Sequence, residues 1–425
     1  MESKLLPHNN GTGNIRPAKK VCGKPRKMNL NYKFRLYPSK AQELEMLEIL
    51  EGCRWLYNHF LGKWQGKEKI PSRFELQAEI PKLAKEHSNI ANIHSKTRQY
   101  ILVQLYSNLR ALGRLKKNGR KVGKLRFKKY GRFKTFVYNQ TGFKLIETDT
   151  RLKKLHLSKI GDIPIKLHRK IKGNIKQVYI KRTPSGRWFA VFSVETESES
   201  LDKTGKAVGL DLNIENYLTD SNGERVEHPH HLLKLQKKLK REQRKLAKKE
   251  KGSMNKLKQR FMVAKVHEEV TDKRLDFLHK LSRDYIENYD LIAVEDLSVK
   301  EMMESSYNAK NTADSSWSSF IQMLSYKAEG AGRTVVKVDP KNTSQICSRC
   351  DQYVYKPIWI REHSCPTCGL VMDRDHNAAI NILNKALLEV GSVRPELTPV
   401  EMRPLLHPMG GASPVAEAGS SFQKL

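Results

Sequence analysis

In the stretch MNLNYKFRLYPSK, which opens at Met28, Leu30, Tyr32, Phe34 and Leu36 fall on every second position. This alternation predicts a half-buried strand, which Pro38 ends. Ser39 can then cap a helix, and the period changes. In SKAQELEMLEILEGCRWLYNHFLGKW the positions Leu44, Leu47, Leu50 or Glu51, Arg54, Tyr57 and Leu61 step by three and four, as in an amphipathic helix. Tyr100, Val103 or Gln104, Tyr106 and Leu109 keep that period from about Ser95 to Leu115, so residues 39–118 read as a small helical domain. Period two returns over 143–200. GNIKQVYIKRTPSGRWFAVFSVET is a hairpin: Val178 and Ile180, a Pro-Ser-Gly turn, then Trp188, Ala190, Phe192 and Val194. Joined to the first strand, these segments predict a β-barrel of residues 28–38 and 119–200, interrupted by the helical domain.

KTGKAVGLDLNIENYLTDSNGERV opens a second unit: strand, Asn-rich bend, strand, then a Ser-Asn-Gly turn. From about His230 to Tyr289 the pattern is helical. Leu232, Leu235, Leu239 and Leu246 form one thin apolar seam, and Gly252-Ser253 breaks it, which predicts a helical hairpin. YDLIAVEDL and GRTVVKVDP are short, mostly apolar strands. Such strands alternating with helices predict an α/β sheet with a parallel part over 201–346 and 369–392. Residues 1–27 are polar, basic and punctuated by Gly and Pro, and 393–425 are rich in Pro, Gly and Ser; a disordered tail and a flexible tail are expected there. No internal repeat is visible.

Charge adds a partner to this outline. The 425 residues hold 79 Lys and Arg against 45 Asp and Glu, a net charge of +34. Such an excess opposes compaction and calls for a polyanion, of which nucleic acid is the usual one. A ribosomal or simply very soluble basic protein is the plain alternative. An anionic membrane fits less well, because the basic segments lack bulky apolar anchors. Hydrophobic residues make up 38% of the chain, enough for sizeable cores, yet no run approaches the roughly 18 apolar residues of a membrane span and no signal peptide is evident. A soluble, cytoplasmic, nucleoid-associated protein is expected. Both arms of the helical hairpin are basic with few acids, which favours a duplex-facing surface with Lys237, Lys238, Arg241, Arg244 and Lys245 as contacts. RLKKNGRKVGKLRFKKYGRFKTFVY interleaves basic residues with Phe127, Tyr130, Phe133, Phe136 and Tyr138. Two accounts stand side by side: bases stacked on exposed aromatics, with Lys128, Lys129, Tyr130 and Arg132 as contacts, or a basic edge strand whose aromatics enter a core.

Cysteines and acids supply the candidate chemistry. Cys347, Cys350, Cys365 and Cys368 form C-x2-C-x14-C-x2-C, while Cys22 and Cys53 stand alone. Paired C-x-x-C turns place four thiolates around one tetrahedral Zn²⁺ and leave no open position, so this zinc should be structural. Asp211 ends the apolar strand of AVGLD, Glu295 closes LIAVE, and Asp375 opens the helix HNAAINILNKAL. A buried carboxylate without a partner costs several kcal/mol, a cost that a divalent cation removes. The three could hold two Mg²⁺ ions about 3.5–4 Å apart, with Mn²⁺ able to substitute, for in-line hydrolysis of a phosphodiester. Any one of these acids alone would be read as a solvated loop end; all three in so basic a chain point to a nuclease. Asp373 competes for the third place, but the helix dipole favours Asp375. The cysteine clamp is expected to hold the last helix, and with it Asp375, in register with Asp211 and Glu295.

The stretches FRLYPSKAQ, CRWLYNHFL, GLDLNIENY, AVEDL, DPKNTSQICSRC, CPTCG and DRDHNAAINI, in that order, resemble the TnpB family of transposon-encoded RNA-guided DNA endonucleases, relatives of the compact type V CRISPR effectors. The similarity covers roughly residues 28–390. It implies a β-barrel wedge domain with a helical recognition insertion, then a RuvC nuclease domain of RNase H type carrying an inserted zinc ribbon at 347–368. The family's acidic triad falls on Asp211, Glu295 and Asp375. The resemblance also implies a guide RNA from the transposon end and double-stranded target DNA bearing a short adjacent motif. In the family that motif is read by the recognition helices with the wedge. Gln99, Tyr100 and Gln104 in SKTRQYILVQLY sit where such contacts arise, and a monomer in the complex is expected. Residues 1–27 precede the family's usual start near YKFRLYP. Two relatives compete for the assignment: a compact CRISPR effector, and a cleavage-dead RNA-guided repressor. A DNA-joining transposase would need features not seen here.

Overall fold

The computed structural model describes residues 27–64, 70–305, 309–357 and 359–391. The two expected tails, apart from Lys27, and Cys22 lie outside the described residues. Strand β1 (Lys27–Leu36) carries the predicted alternation, with Tyr32, Phe34 and Leu36 turned inward. Ser39 caps helix α1 (Lys40–Gly62): its Oγ accepts from Gln42 N at 3.2 Å, while Gln42 Oε1 accepts from Ser39 N at 3.1 Å. The buried stripe of α1 is Met46, Ile49, Leu50, Cys53, Leu56, Tyr57, Phe60 and Leu61. Leu50, Tyr57 and Leu61 of the predicted stripe are thus buried, and the stripe is corrected at its start, where Leu44 is 63% exposed. Apolar residues occupy two adjoining rows of α1, and the elements packed on it select one. Helices α2 (Arg73–Glu86), α3 (Ser88–Ala91) and α4 (Ser95–Lys117) follow. Gly52 lets α3 approach closely, because a Cβ there would strike Asn89 O. On α4 the buried positions are Thr97, Ile101, Leu102 and Leu105, with Tyr100 and Gln104 only half-buried beside them.

Strands β2 (Thr135–Asn139), β3 (Phe143–Ile146), β4 (Lys153–Leu157), β5 (Gly161–Lys166), β6 (Asn174–Arg182) and β7 (Trp188–Glu197) join β1 in one antiparallel sheet. Its order is β2-β6-β7-β1-β5-β4-β3. The edge strands β2 and β3 are consecutive in the chain, but no ladder joins them among the described residues. The expected barrel is therefore a nearly closed sheet. Its interior, including Phe34, Phe136, Ile163, Trp188 and Phe192, is continuous with the buried faces of α1 and α4. The helical insertion thus shares one core with the sheet, and the buried Thr97 hydroxyl donates to Val137 O of β2 at 2.8 Å.

The remainder is built on β8 (Ala207–Leu212), β9 (Asn216–Asp220) and β10 (Arg225–Glu227), then α5 (His231–Ala247), α6 (Met254–Asn288), β11 (Leu291–Glu295), α7 (Val299–Ser305), α8 (Ala309–Ser315), α9 (Trp317–Ala331) and β12 (Thr334–Val338). A small hairpin, β13 (Glu362–Ser364) with β14 (Val371–Asp373), precedes the last helix, α10 (Arg374–Glu389). The five-stranded sheet has the order β10-β9-β8-β11-β12: β8, β11 and β12 run parallel, while β9 and β10 form an antiparallel arm. Successive residues of a strand face opposite sides. Val208, Leu210, Ile292 and Val294 pack in the core that includes residues of α6 and α9. Ala293 and Val338 pack with Ile382 and Ala386 of α10 on the other face. Arg187, just before β7, pairs with Glu268 at 2.6 Å and Asp272 at 2.7 Å on α6, which fastens the first sheet to the second unit. Ser253 caps α6, so the break at Gly252-Ser253 lies where predicted. No described helix is long and apolar enough to cross a membrane.

Candidate active site

Three features bring the candidate acids together. First, β8 and β11 are parallel neighbours whose ladder pairs Ala293 with Gly209 and Val294 with Leu210. The next step along that register sets Glu295 beside Asp211, both at the carboxyl ends of their strands. Second, by the alternation, Asp211 faces as Gly209 does and Glu295 as Ala293 does, towards α10. Third, α10 lies directly on Gly209: a side chain there would collide with Ala379 O and Leu383 N. Two strand residues span about 6.6 Å and four helical residues about 6 Å. The close approach of Gly209 to Ala379 therefore carries Asp211 towards Asp375, one turn earlier in the helix.

The electrostatics agree with this convergence. Desolvation holds the Asp211 carboxyl well above the usual range; the charges of Glu295 and Asp375 add to it, while Arg374 and Asn213 oppose it. Burial likewise raises Glu295, against the Thr343 hydroxyl, which donates to its Oε1 at 2.7 Å. Asp375 is 6% exposed, and its Oδ1 meets Arg374 Nη2 at 3.3 Å and Arg361 Nη1 at 3.5 Å. The three carboxylates do not all lie within 4.8 Å of one another; among the described residues the four cysteines alone form a metal-ligating group that tight. Asp373 has a separate task. It caps α10, accepting from Asp375 N at 3.0 Å and His376 N at 3.1 Å, and pairs with Arg225 at 2.7 Å.

The raised Asp211 sets a sign for stability against pH. Between the ordinary carboxylate pKa, about 3.9, and its raised native value, the folded chain keeps a proton that the unfolded chain has lost. Stability therefore falls as pH rises through that window, and the full penalty remains above it. Asp211→Asn should raise the melting temperature in magnesium-free buffer at pH 7, by about 1 °C for each kcal/mol relieved in a chain of this length, and change little below about pH 4. Thermal melts of both proteins at the two pH values check this.

The cysteines form a closed cluster. Cys347 Sγ lies 3.6 Å from Cys368 Sγ, and Cys350 Sγ lies 3.6 Å from Cys365 Sγ. This is far longer than the roughly 2.05 Å of a disulfide. It is close to the roughly 3.8 Å between thiolates of a tetrahedron with Zn–S of about 2.3 Å. The N–H of Cys368, helped by that of Thr367, outweighs burial and pulls the Cys365 thiol down to about 6, whereas at Cys350, against the Gln352 N–H, burial and the neighbouring sulfurs push the thiol up to about 12, so the metal-binding reading rests on the four-sulfur geometry. The buried Lys356 bonds to His363, and the charges of Cys347 and Cys365 favour its ammonium, although desolvation lowers its pKa on balance.

Two residues missed in the sequence explain how the cysteine-bearing segment holds the helix. Asn377 Oδ1 accepts from Ser348 N at 3.0 Å, and its Nδ2 donates to Ile346 O at 2.7 Å. Asn381 Nδ2 donates to Thr343 O at 2.8 Å and Ile346 O at 2.7 Å. Both grip the chain around Cys347 from one face of α10. Their signal was visible: asparagines at i and i+4 set among Ala378, Ala379, Ile380 and Ile382.

The candidate nucleic-acid contacts are spread over three surfaces. On α4, Tyr100 shares a 3.2 Å hydrogen bond with Tyr179, and Gln99 and Gln104 stay half-buried. The aromatic-basic stretch divides between its two accounts: Tyr130 is 81% exposed and Phe127 also faces out, whereas Phe133, Phe136 and Tyr138 enter the core. Lys128, Lys129 and Arg132 are exposed, and the segment is pinned to α1 where Lys128 N donates to Asn58 Oδ1 at 2.8 Å. On α5, Lys237, Lys240, Arg241, Arg244, Lys245 and Lys248 line a groove of about 350 Å³. Lys238 pairs with Glu269 at 2.8 Å, and Arg241 and Lys245 lean on Glu242 at 3.3 and 3.2 Å.

This arrangement has known counterparts. The fold is that of the compact CRISPR effectors: it is similar to Cas12f1 in its complex with single guide RNA and target DNA, with a TM-score of 0.55 at 14% identity over 84% of this chain and 99% of that one. Residues 191–306 match the model of a family described as "Probable transposase". Residues 317–382 match a "Cas12f1-like, TNB domain", and residues 28–67 a "Helix-turn-helix domain". A Streptomyces pristinaespiralis protein named "Putative RNA-guided DNA endonuclease" is 30% identical over 84% of this chain and 89% of its own. The Escherichia coli K12 protein "Putative RNA-guided DNA endonuclease InsQ" is 28% identical over 88% and 96%. The chain belongs to the TnpB family of transposon-encoded RNA-guided DNA endonucleases.

Proposed function

We propose that this protein is an RNA-guided endonuclease that cuts target DNA beside a short transposon-adjacent motif by metal-dependent hydrolysis. The observation that carries the chemistry is the convergence of Asp211, Glu295 and Asp375 on the α10 face of the five-stranded sheet, with Asp211 burdened by the charge of the other two. In this reading the nearly closed sheet and α1–α4 are the wedge and recognition module, and β8–β12 with α10 form the RuvC domain. The cysteine cluster is its zinc ribbon.

The donor set fits hard divalent cations: three carboxylates, two of them nearly buried, of which Asp375 alone pairs with arginines, Arg361 at 3.5 Å and Arg374 at 3.3 Å, among the described residues. Asp211, Glu295 and Asp375 would hold Mg²⁺, which when bound supplies polarisation of water and stabilisation of the leaving 3′ oxygen. The protein's own residues do the rest. The Thr343 hydroxyl fixes Glu295, Asp373 fixes the start of α10, and Asn377 and Asn381 fix α10 to the ribbon. The basic face of α5 and the exposed Lys128, Lys129, Tyr130 and Arg132 hold RNA and the guide–target duplex through backbone charge and stacking, while base pairing supplies sequence specificity. Gln99, Tyr100 and Gln104 are the proposed readers of the adjacent motif.

Reconstitution tests this function. RNA that co-purifies with the protein is sequenced, and DNA complementary to its 3′ segment is offered beside a randomised flank. Cleavage confined to complementary DNA with one enriched flank is expected; cutting indifferent to the RNA sequence, or RNA-bound protein that never cuts, rejects it. A second measurement addresses α5. Replacing Lys237 and Arg244 together by Ala should flatten the slope of log affinity against log salt by about 0.9 for each phosphate no longer neutralised. The enriched flank should stay unchanged.

A further inference from the structure

Arg361 leaves the ribbon just before β13 and lies between two carboxylates. Its Nη1 is 3.5 Å from Asp375 Oδ1, and its Nη2 ion-pairs with Glu215 in the turn between β8 and β9. Arg374 meets the same Asp375 oxygen, through Nε at 3.4 Å and Nη2 at 3.3 Å. The two arginines differ in how they are held. Arg374 is the first residue of α10, its side chain is 15% exposed, and its Nη1 also donates to Ile360 O at 3.3 Å, so it is built into the helix start. The Arg361 side chain is 42% exposed, and its outer partner Glu215 is 64% exposed. One guanidinium is fixed, and the other is shared between a nearly buried acid and a surface acid.

We propose that Arg361 and Glu215 form a charge latch that sets the divalent-ion affinity of the acidic site, with Arg361 competing for Asp375 and Glu215 drawing the guanidinium outward. This rests on the nuclease reading of that site. The physics is that of like charges. A unit positive charge roughly 6 Å from a divalent ion weakens its binding about ten-fold even at the dielectric of water. An exposed ion pair such as Arg361–Glu215 adds little to stability, so either partner can be changed without unfolding the chain. Neither residue touches the reacting atoms in this account; both are positioning residues. Because Arg361 belongs to the ribbon, ion binding at Asp375 depends on where the ribbon stands.

Mn²⁺ binding to the full-length, zinc-loaded, RNA-free protein tests the latch. The free ion is counted by electron paramagnetic resonance, and Mg²⁺ is used as competitor. The parent should bind Mn²⁺ at a site that Asp375→Asn removes. Arg361→Gln should tighten that site about ten-fold. Glu215→Gln should weaken it, and the double variant should match Arg361→Gln alone, because Glu215 acts through the arginine. Unchanged or weaker binding by Arg361→Gln overturns the proposal. So does a Glu215→Gln loss that persists undiminished when Arg361 is already replaced. A parent that binds no Mn²⁺ at an Asp375-dependent site rejects the nuclease reading itself and the latch with it.

Discussion

Asp211→Ala should abolish target cleavage while leaving RNA and target binding within about two-fold of the parent. The side chain stands at the end of β8, beside Glu295 and below α10, where burial above all, and then the charges of Glu295 and Asp375, hold its carboxyl well above the usual range. Its ionised form therefore gains from a bound cation. Loss of a cation's charge stabilisation costs several kcal/mol of barrier, and each 1.36 kcal/mol is a factor of ten. A rate at least three decades lower is expected. Binding should survive because the basic groove on α5 and the stretch 128–132 lie on other surfaces. Single-turnover cleavage and filter binding on one protein preparation separate the two effects. Comparable cutting by the variant and the parent rejects the assignment of Asp211.

Removing zinc should be as damaging, by another route. Metal analysis should find one zinc per chain, and Cys365→Ser or a strong chelator should release it. Structural zinc in small domains contributes on the order of 10–16 kcal/mol of apparent binding energy at neutral pH. The damage here would not stop at the ribbon. Asn377 and Asn381 are bonded to Ile346, Ser348 and Thr343, around the first cysteine knuckle. Each buried amide left without its partner costs about 1–3 kcal/mol, so the start of α10 loosens and Asp375 moves with it. Cleavage should vanish although every acid is intact, and the melting transition should broaden and fall. Full activity in protein shown to be free of zinc would reject the structural role of the ribbon.

Strand positions were largely legible and helix faces were not, for one physical reason. In β1, β6 and β7 one sheet face is buried, so the inward set Tyr32, Phe34, Val178, Ile180, Trp188 and Phe192 has a period of two that nothing else imitates. On α1 and α4 apolar residues fill more than one row, and only the packing partner decides between them. Leu44 therefore points to solvent and Met46 to the core, against expectation. The stretch around Tyr130 could not be divided in advance because its aromatics serve both purposes. The positions of Asp211 and Glu295 were legible because both lie at the ends of apolar strands. Asp375 lies in the first turn of α10 and Asp373 caps it, a division that the helix start and not the composition made visible. Arg361 and Glu215 carried no signal: they are ordinary surface residue types far apart in the chain, and only the fold makes them neighbours. The failure of the first sheet to close was equally hidden, since hydrogen-bonding partners are not written in a hydrophobic pattern.

The central place of β1 in the first sheet has a consequence for synthesis. Its residue Leu36 pairs with Trp188, about 150 residues later. At 5–20 residues per second, a ribosome needs roughly 8–30 s to deliver that partner. For that interval the strand is an open template that other nascent chains could join. Its outward positions include Lys27, Lys33 and Arg35, cations of the kind that deter edge-to-edge association. The charge that suits this molecule to a polyanion thus also protects its first strand while it waits for its neighbour.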